Sequence, residues 1–228
     1  KGLLRDISHE LRSPLARLQI ANELARMDGN ELVIEHLDRI DLETNRINEM
    51  IADILLLAKL DVERHPEQWQ ATDLIQVVNQ VVKDAHFEQQ AQSIEIQCQK
   101  KHCWVMADEK LLSSAVENLI RNALLHTFEN TKVEITIKAI DSDFAIIIRD
   151  HGPGVAEEHI PNLTKPFYRA EQARERIDQD VKQKNTGSRG YGLGMAIANR
   201  VIISLDGHMA IRNHPEGGLE ISCYLSRH

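Results

Sequence analysis

The chain has 228 residues, with 27 Lys plus Arg against 35 Asp plus Glu and a formal net charge of -8. That acidic balance does not favour direct nucleic-acid binding, which needs a basic footprint, and an apolar content of 42% excludes wholesale disorder. No run reaches the roughly 18 apolar residues that cross a bilayer, and no signal-peptide pattern opens the sequence.

Residues 1–62 have a helical period. Leu4, Leu11, Leu18 and Ala25 recur at sevens beside Ile7, Pro14 and Ala21. After Asp28-Gly29-Asn30, which supplies turn chemistry, Val33, Ile40, Ile47 and Ile54 form one seam, and Leu37, Thr44, Ile51 and Ala58 form another. This predicts a helical hairpin. Its apolar stripes are wider than one partner helix covers, so a homodimer through residues 3–60, forming a four-helix bundle, is expected. The alternative is that the hairpin folds back on the second half of its own chain.

His65-Pro66-Glu67-Gln68 breaks the pattern and marks a linker over residues 63–69. The remainder, 70–228, alternates helix and strand periods. A helix is expected over 73–89 with Thr72 as its cap, strands over Ser93 to Cys98 and Cys103 to Ala107, and a helix over 109–126. Strands over Lys132 to Ile140 and Asp143 to Arg149 follow, then a helix from Leu193 to Ser204, and strands over His208 to Asn213 and Leu219 to Leu225. There is no strict βαβ order, so an α+β sandwich with helices on one face of a mixed sheet is predicted. Cys98, Cys103 and Cys223 contain no close CxxC pair and read as strand-core thiols, and the histidine spacings indicate no structural metal.

Three local features carry chemistry. In the run from Gly187 to Gly194, alternate glycines precede Met195-Ala196-Ile197, so backbone can approach a ligand closely while a helix N-terminus presents N–H groups to an anion. The run is neither a P-loop nor a dinucleotide fingerprint. Asp150-His151-Gly152-Pro153-Gly154 ends a strand with a carboxylate that can accept a hydrogen bond deep in a pocket. Asn118 and Asn122 are four apart on one helix face, where an amide oxygen beside phosphates suits Mg²⁺. Each alone also fits an ordinary loop, turn or solvated face. Near the start, His9 can point outward from its helix beside Glu10, which can hold one imidazole proton and raise the nucleophilicity of the other nitrogen. Pro14 would distort the next turn.

In combination these residues resemble sensor histidine kinases. Ser8-His9-Glu10-Leu11-Arg12-Ser13-Pro14-Leu15 is similar to the family's H box, Asn118/Asn122 to its N box, and Asp150/Gly152/Gly154 to its first glycine box. Phe167-Tyr168-Arg169 is similar to the F box, and Gly190/Gly192/Gly194 to the second glycine box. Within the family, Glu117 to Leu124 and Lys165 to Ala170 look most like the proteobacterial envelope-stress sensors. The resemblance implies an all-α hairpin, 1–62, for dimerisation and phosphotransfer, then an α+β sandwich of the gyrase, Hsp90, histidine kinase and MutL type over 70–228. It implies ATP-dependent autophosphorylation of His9 and transfer to an aspartate of a response-regulator receiver domain. Phosphatase activity toward the regulator is implied less directly, because Ser13 stands where relatives often carry Thr or Asn.

By the same resemblance Asp150 binds the adenine amino group, Asn122 coordinates Mg²⁺ and Asn118 lines the phosphate end. Arg169 approaches the nucleotide, and a lid of polar composition spans Tyr168 to Arg189. The implied nucleotide set also contains Arg121, His126, Gly152, Gly154, Tyr168, Arg189, Gly190, Tyr191, Gly192, Leu193 and Gly194. Two departures stand out: Leu125 replaces a common Lys or Arg, so Arg121, Arg169 or Arg189 must supply the cation, and His126 replaces a tyrosine. An ATPase of the same fold is disfavoured, since the water-activating glutamate four residues before the metal-binding asparagine is here Asn118. The intact set also argues against the remaining alternative, an ATP-binding scaffold or degenerate kinase acting through partners. With only eight residues before His9, the expectation is the cytoplasmic portion of a bacterial inner-membrane sensor, whose sensing and transmembrane segments precede it.

Overall fold

Proline at 66 and turn residues near 141–143 punctuate the chain, and the computed structural model follows that punctuation. It describes residues 15, 18–20, 22–23, 25–26, 31–60, 66–88, 93–128, 131–170 and 191–228. Helical residues between 15 and 26 run against the 30-residue α1, Glu31–Leu60. Leu37, Thr44 and Ile51 are buried, as the second predicted seam requires. Side chains fix the antiparallel pairing. Gln19 Nε2 donates to Asn45 Oδ1 at 2.8 Å, and Asn22 Nδ2 donates to the Leu37 carbonyl at 2.7 Å. The Arg26 guanidinium forks onto Asp38 and Asp41, both at 2.6 Å.

The first predicted seam divides. Val33, Ile40 and Ile47 remain 40%, 41% and 38% exposed, whereas Ile54, with Met50, Leu57 and Leu60, packs against the core of the second half of the chain. Folding back and an open apolar stripe therefore coexist on one helix.

A short 3₁₀ turn, Pro66–Gln68, leads to β1, Gln70–Asp73, and α2, Leu74–Glu88. β2 is Ser93–Cys98, β3 Trp104–Ala107 and α3 Glu109–His126. The hairpin of β4, Lys132–Ile140, and β5, Asp143–Arg149, follows; then come α4, Gly194–Ser204, β6, His208–Asn213, and β7, Leu219–Ser226. The main sheet has the order β2-β4-β5-β7-β6, with β2 and β4 parallel and the other neighbours antiparallel. Alternate residues Ile135, Ile137, Ile146, Ile148, Ile221 and Cys223 face one side. There they meet Leu112, Leu119 and Ile120 of α3 and Ile197 and Ile202 of α4 in one apolar core.

Two sequence expectations are corrected. Thr72 does not cap α2: it lies in β1, which pairs with β3, and its hydroxyl faces the Gln70 and Ala107 carbonyls. Asp73 takes the capping role, with Oδ1 accepting from Ile75 N at 3.1 Å and from Cys103 N at 3.0 Å. Its Oδ2 contacts His102 Nδ1 at 2.7 Å. A buried carboxylate serving a helix start and a strand start together is a better anchor than a threonine hydroxyl. β3 also begins at Trp104 rather than Cys103.

Replacing Asp73 with Ala should remove the cap and leave the Cys103 N–H buried without a partner. The expected loss, read from urea unfolding, is about 2–3 kcal/mol, with Asp73→Asn falling between.

Candidate nucleotide site

At one end of the main sheet β5 gives way to Asp150, β4 and β7 begin, α3 ends and α4 starts. Asp108 opens α3, its Oδ1 accepting from Lys110 N at 2.9 Å and Leu111 N at 3.2 Å. Leu112, Val116, Leu119, Ile120 and Ala123 bury the helix on the sheet. Asn118 and Asn122 thereby fall on a separate, half-buried face. Asn118 Nδ2 donates back to the Ser114 carbonyl at 3.0 Å, and its Oδ1 lies toward Gly194, where an added Cβ would sit 2.7 Å away. The Asn122 amide takes no hydrogen-bond partner among the described residues. A half-buried amide with an uncommitted oxygen fits one position of a Mg²⁺ shell otherwise made of phosphate oxygens and water.

Asp150 is only 3% exposed. Its Oδ1 accepts from Gly152 N at 2.8 Å and Leu219 N at 3.2 Å, while its backbone N–H donates to the Leu219 carbonyl at 3.1 Å. Burial pushes its pKa up, and the two N–H groups and nearby histidines only partly oppose that. Oδ2 accepts no hydrogen bond among the described residues, which leaves it able to take one from a ligand. His126 closes α3 beside it. Burial pushes the imidazole pKa down, with the Asp150 charge acting the other way and Arg169 reinforcing the drop.

The glycines act through close approach. A Cβ on Gly152 would meet the His126 carbonyl at 2.2 Å. Gly192 has φ of 74°, and its carbonyl accepts from Phe167 N at 3.0 Å, tying the second glycine run to the Phe167-Tyr168-Arg169 segment. Gly194 opens α4, so unpaired N–H groups face this end of the sheet.

The structure thus brings Asn118, Asn122, His126, Asp150, Gly152, Arg169, Gly192 and Gly194 to one region. It directs others elsewhere. Arg121 is exposed and donates to Glu117 at 2.8 Å, with Asp53 of α1 in its field. Tyr168 is hydrogen-bonded to His159 Nδ1 at 2.6 Å. Tyr191 faces Glu43, Arg46 and Glu49 of α1, and Leu193 is a core residue. Gly154, with φ of 68°, lies against Asn213. His9, Glu10, Ser13, Arg189 and Gly190, and most of the expected lid, lie outside the described residues.

Three supporting residues escaped the sequence reading. The Thr127 hydroxyl accepts from His151 N at 2.9 Å, and the Asn213 amide clamps both backbone groups of Val155. Gly218, in the connection between β6 and β7, has φ of 85° and approaches so closely that a Cβ would stand 1.9 Å from the Asp150 carbonyl. The doubled glycine at 217–218 was the available signal. A groove of about 210 Å³ on the opposite face of the sheet, lined by Lys138, Arg212, Glu220 and Tyr224, lies away from this region.

Gly218→Ala should displace Asp150 and weaken nucleotide binding at least tenfold by calorimetry, while the same substitution at Gly217, which has open space around it, perturbs the site less. His126 gives a pH test. Its folded pKa lies below the unfolded value, so the folded state binds fewer protons and stability is lost as pH falls below about 6.5. Between pH 7.5 and 5.5 the unfolding midpoint should drop further in the native chain than in His126→Tyr; parallel curves would show that the imidazole is not held neutral.

Residues 107–228 match the family described as histidine kinase-, DNA gyrase B- and HSP90-like ATPase, and residues 1–63 match the His Kinase A phospho-acceptor domain. The sensor histidine kinase CpxA of Escherichia coli K12 is 34% identical over 226 residues, covering 98% of this chain and 46% of that protein. The sensor protein PfeS of Pseudomonas aeruginosa is 32% identical over 217 residues, covering 94% of this chain and 44% of that protein. The chain therefore spans about half the length of the curated relatives it matches. Among solved structures, full-length ShkA in complex with AMPPNP aligns with a TM-score of 0.79 at 21% identity, over 99% of this chain and 46% of that one. Acinetobacter baumannii AdeS aligns at 0.62 and 21%, over 96% and 97% of the two chains. These likenesses agree with the fold, and no helix among the described residues is long and apolar enough to cross a membrane. With a phospho-acceptor match followed by an ATPase match, the chain belongs to the histidine kinase-, DNA gyrase B- and HSP90-like ATPase family, as the catalytic portion of a sensor histidine kinase resembling CpxA.

Proposed function

We propose that this chain binds ATP at the Asp150 end of the sheet, phosphorylates its own His9 and passes the phosphoryl group to an aspartate of a response-regulator receiver domain. The observation that carries the reading is the buried Asp150 carboxylate, which keeps one oxygen uncommitted beside Asn118, Asn122 and the start of α4. Oδ2 accepts from the adenine amino group, while Gly152 and Gly218 let backbone close around the base. The N–H groups at Gly194 and the Arg169 guanidinium receive the phosphate chain. Mg²⁺, held through the Asn122 amide oxygen, would neutralise phosphate charge as it develops.

A nitrogen of His9 then attacks the γ-phosphorus. A P–N bond forms, the bond to the β,γ-bridging oxygen breaks, and ADP leaves. Glu10 orients the imidazole and takes its proton. Asn118 stands where a hydrolytic relative carries a water-activating glutamate, which favours transfer to a side chain over hydrolysis. Ser13, four residues after His9, retains a hydroxyl able to orient water for regulator dephosphorylation.

The division into 1–62, a hinge at 63–69 and 70–228 lets the ATP domain move between its rest on α1 and His9. A second copy covers Ile40 and Ile47, completing a four-helix bundle through residues 3–60. The chain is the cytoplasmic portion of an inner-membrane sensor, and upstream segments control the hairpin.

Incubation with Mg²⁺ and γ-labelled ATP should give a product that is stable in alkali, lost in acid and absent in His9→Ala. Asp150→Asn should fold at least as stably at neutral pH, because it removes a buried charge, yet lose ATP binding and labelling. Labelling that persists in His9→Ala, or undiminished ATP affinity in Asp150→Asn, would overturn the assignment. Sedimentation equilibrium should give twice the chain mass, and Ile40→Glu with Ile47→Glu should shift it to monomer.

A further inference from the structure

Beyond Gly154 the chain is gripped by β6. Asn213 Oδ1 accepts from Val155 N at 3.0 Å, and its Nδ2 donates to the Val155 carbonyl at 2.8 Å and to Glu157 Oε1 at 2.9 Å. A 3₁₀ turn, Glu157–Asn162, starts from that clamp, with His159 N donating to the Ala156 carbonyl at 2.8 Å, and Leu163 then packs on the core. His159 is thus presented from a turn whose backbone is tied to the sheet.

Tyr168, nine residues on, comes back to it. The phenol oxygen and His159 Nδ1 are 2.6 Å apart, with ring centroids at 6.0 Å and planes tilted by 53°, so the contact runs through the hydroxyl rather than through stacking. Both side chains are half-buried. The preceding residue, Phe167, has φ of 64°, an uncommon conformation for a bulky side chain, and its ring is 55% exposed, so packing does little to hold it. Backbone contacts do more. Phe167 N donates to the Gly192 carbonyl at 3.0 Å, Tyr168 N donates to the Lys165 carbonyl at 3.2 Å, and a Cβ on Gly192 would stand 2.8 Å from the Tyr168 carbonyl oxygen. Gly192 lies two residues before Gly194, which opens α4, and Arg169 directly follows Tyr168.

We propose that His159 is a positioning residue for the phosphate end of the nucleotide site: by holding the Tyr168 hydroxyl it seats the Phe167–Arg169 backbone on Gly192, and so sets the start of α4 and the Arg169 guanidinium. This role presupposes the ATP binding proposed above, and His159 itself touches no part of the nucleotide. Cutting the tie leaves the strained turn with its backbone bonds alone. The cost falls on the phosphates rather than on the base, because Asp150 is fixed separately, through Gly152, Leu219 and the close approach of Gly218.

Calorimetry on the whole chain with Mg²⁺ and AMP-PNP reads the phosphate end, and adenosine, followed by nuclear magnetic resonance, reads the base end. His159→Ala and Tyr168→Phe should each weaken AMP-PNP binding about fivefold, the worth of one hydrogen bond, while adenosine binds both variants as it binds the native chain. The double variant should be no weaker than either single one, since the same contact is lost in all three. His159→Asn, whose amide hangs on Cγ as Nδ1 does, should restore AMP-PNP affinity to within about twofold of native. Undiminished AMP-PNP affinity in His159→Ala, equal losses for AMP-PNP and adenosine, additive losses in the double variant, or no rescue by His159→Asn would overturn the proposal. A native chain that binds neither probe would remove the ATP reading itself, and this role with it.

Discussion

A single buried carboxylate organises the nucleotide end of this fold. Asp150 leaves β5 almost wholly out of solvent, where an ion without compensation would be costly. Compensation comes from backbone: Gly152 and Leu219 each donate to Oδ1, and the main chain of Asp150 exchanges a bond with Leu219. These donors can come close only because Gly152 and Gly218 lack side chains, since a Cβ at either position would collide with backbone oxygen. The glycines of this region are therefore two kinds of device. Gly152 and Gly218 give the carboxylate room and donors, whereas Gly192 and Gly194 join the start of α4 to the rest of the region. Burial still pushes the pKa of Asp150 up against these donors, so the compensation is incomplete.

The contact between α1 and the sheet domain has a different character. Met50, Ile54 and Leu57 contribute apolar area, but the polar groups there are poorly served. Burial and Glu49 push the pKa of Asp53 up, with Arg121 only partly opposing. Arg46 Nε is buried without an acceptor among the described residues. An interface that mixes modest apolar burial with strained polar groups separates more easily than the cores on either side of it. That is the property a domain needs if it must leave one resting place and reach a histidine elsewhere.

Elements whose apolar period matched their burial were legible in the sequence. α3 spans the predicted 109–126, and the β4–β5 hairpin and β6 fall where alternation put them, because one face of each is less exposed than the other. β1 was not legible: four residues with two buried carry too little pattern, and Asp73 looked like the inside of a helix rather than its cap. At the candidate site, Asp150, Asn118 and Asn122 could be picked out as candidates because polar residues at ordered spacing interrupt apolar runs. Gly218 and Thr127 could not, since their importance lies in distances to residues remote in sequence. The α1 seams illustrate the same limit. Periodicity identified both, but only three-dimensional packing determined that Leu37, Thr44 and Ile51 face the hairpin while Ile54 serves the other domain.

Under the proposed ATP binding, the leucine at 125 bears on which cation would meet the phosphates. Leu125 is 42% exposed, so it neither fills the core nor supplies charge. Of the arginines able to substitute, Arg121 is exposed on α3, paired with Glu117 of its own helix and in the field of Asp53. Arg169 is different: its charge is felt by His126, which in turn feels Asp150, so it belongs to the same electrostatic neighbourhood as that buried carboxylate. The lowered pKa of the half-buried His126 matters in that setting. Were it protonated, it would set a second positive charge against Arg169 and neutralise Asp150, blunting the contrast between an acceptor for the base and a cation for the phosphates. Burial pushes the imidazole pKa down and so favours its neutral form, which lets a histidine stand here without reversing the polarity of the region.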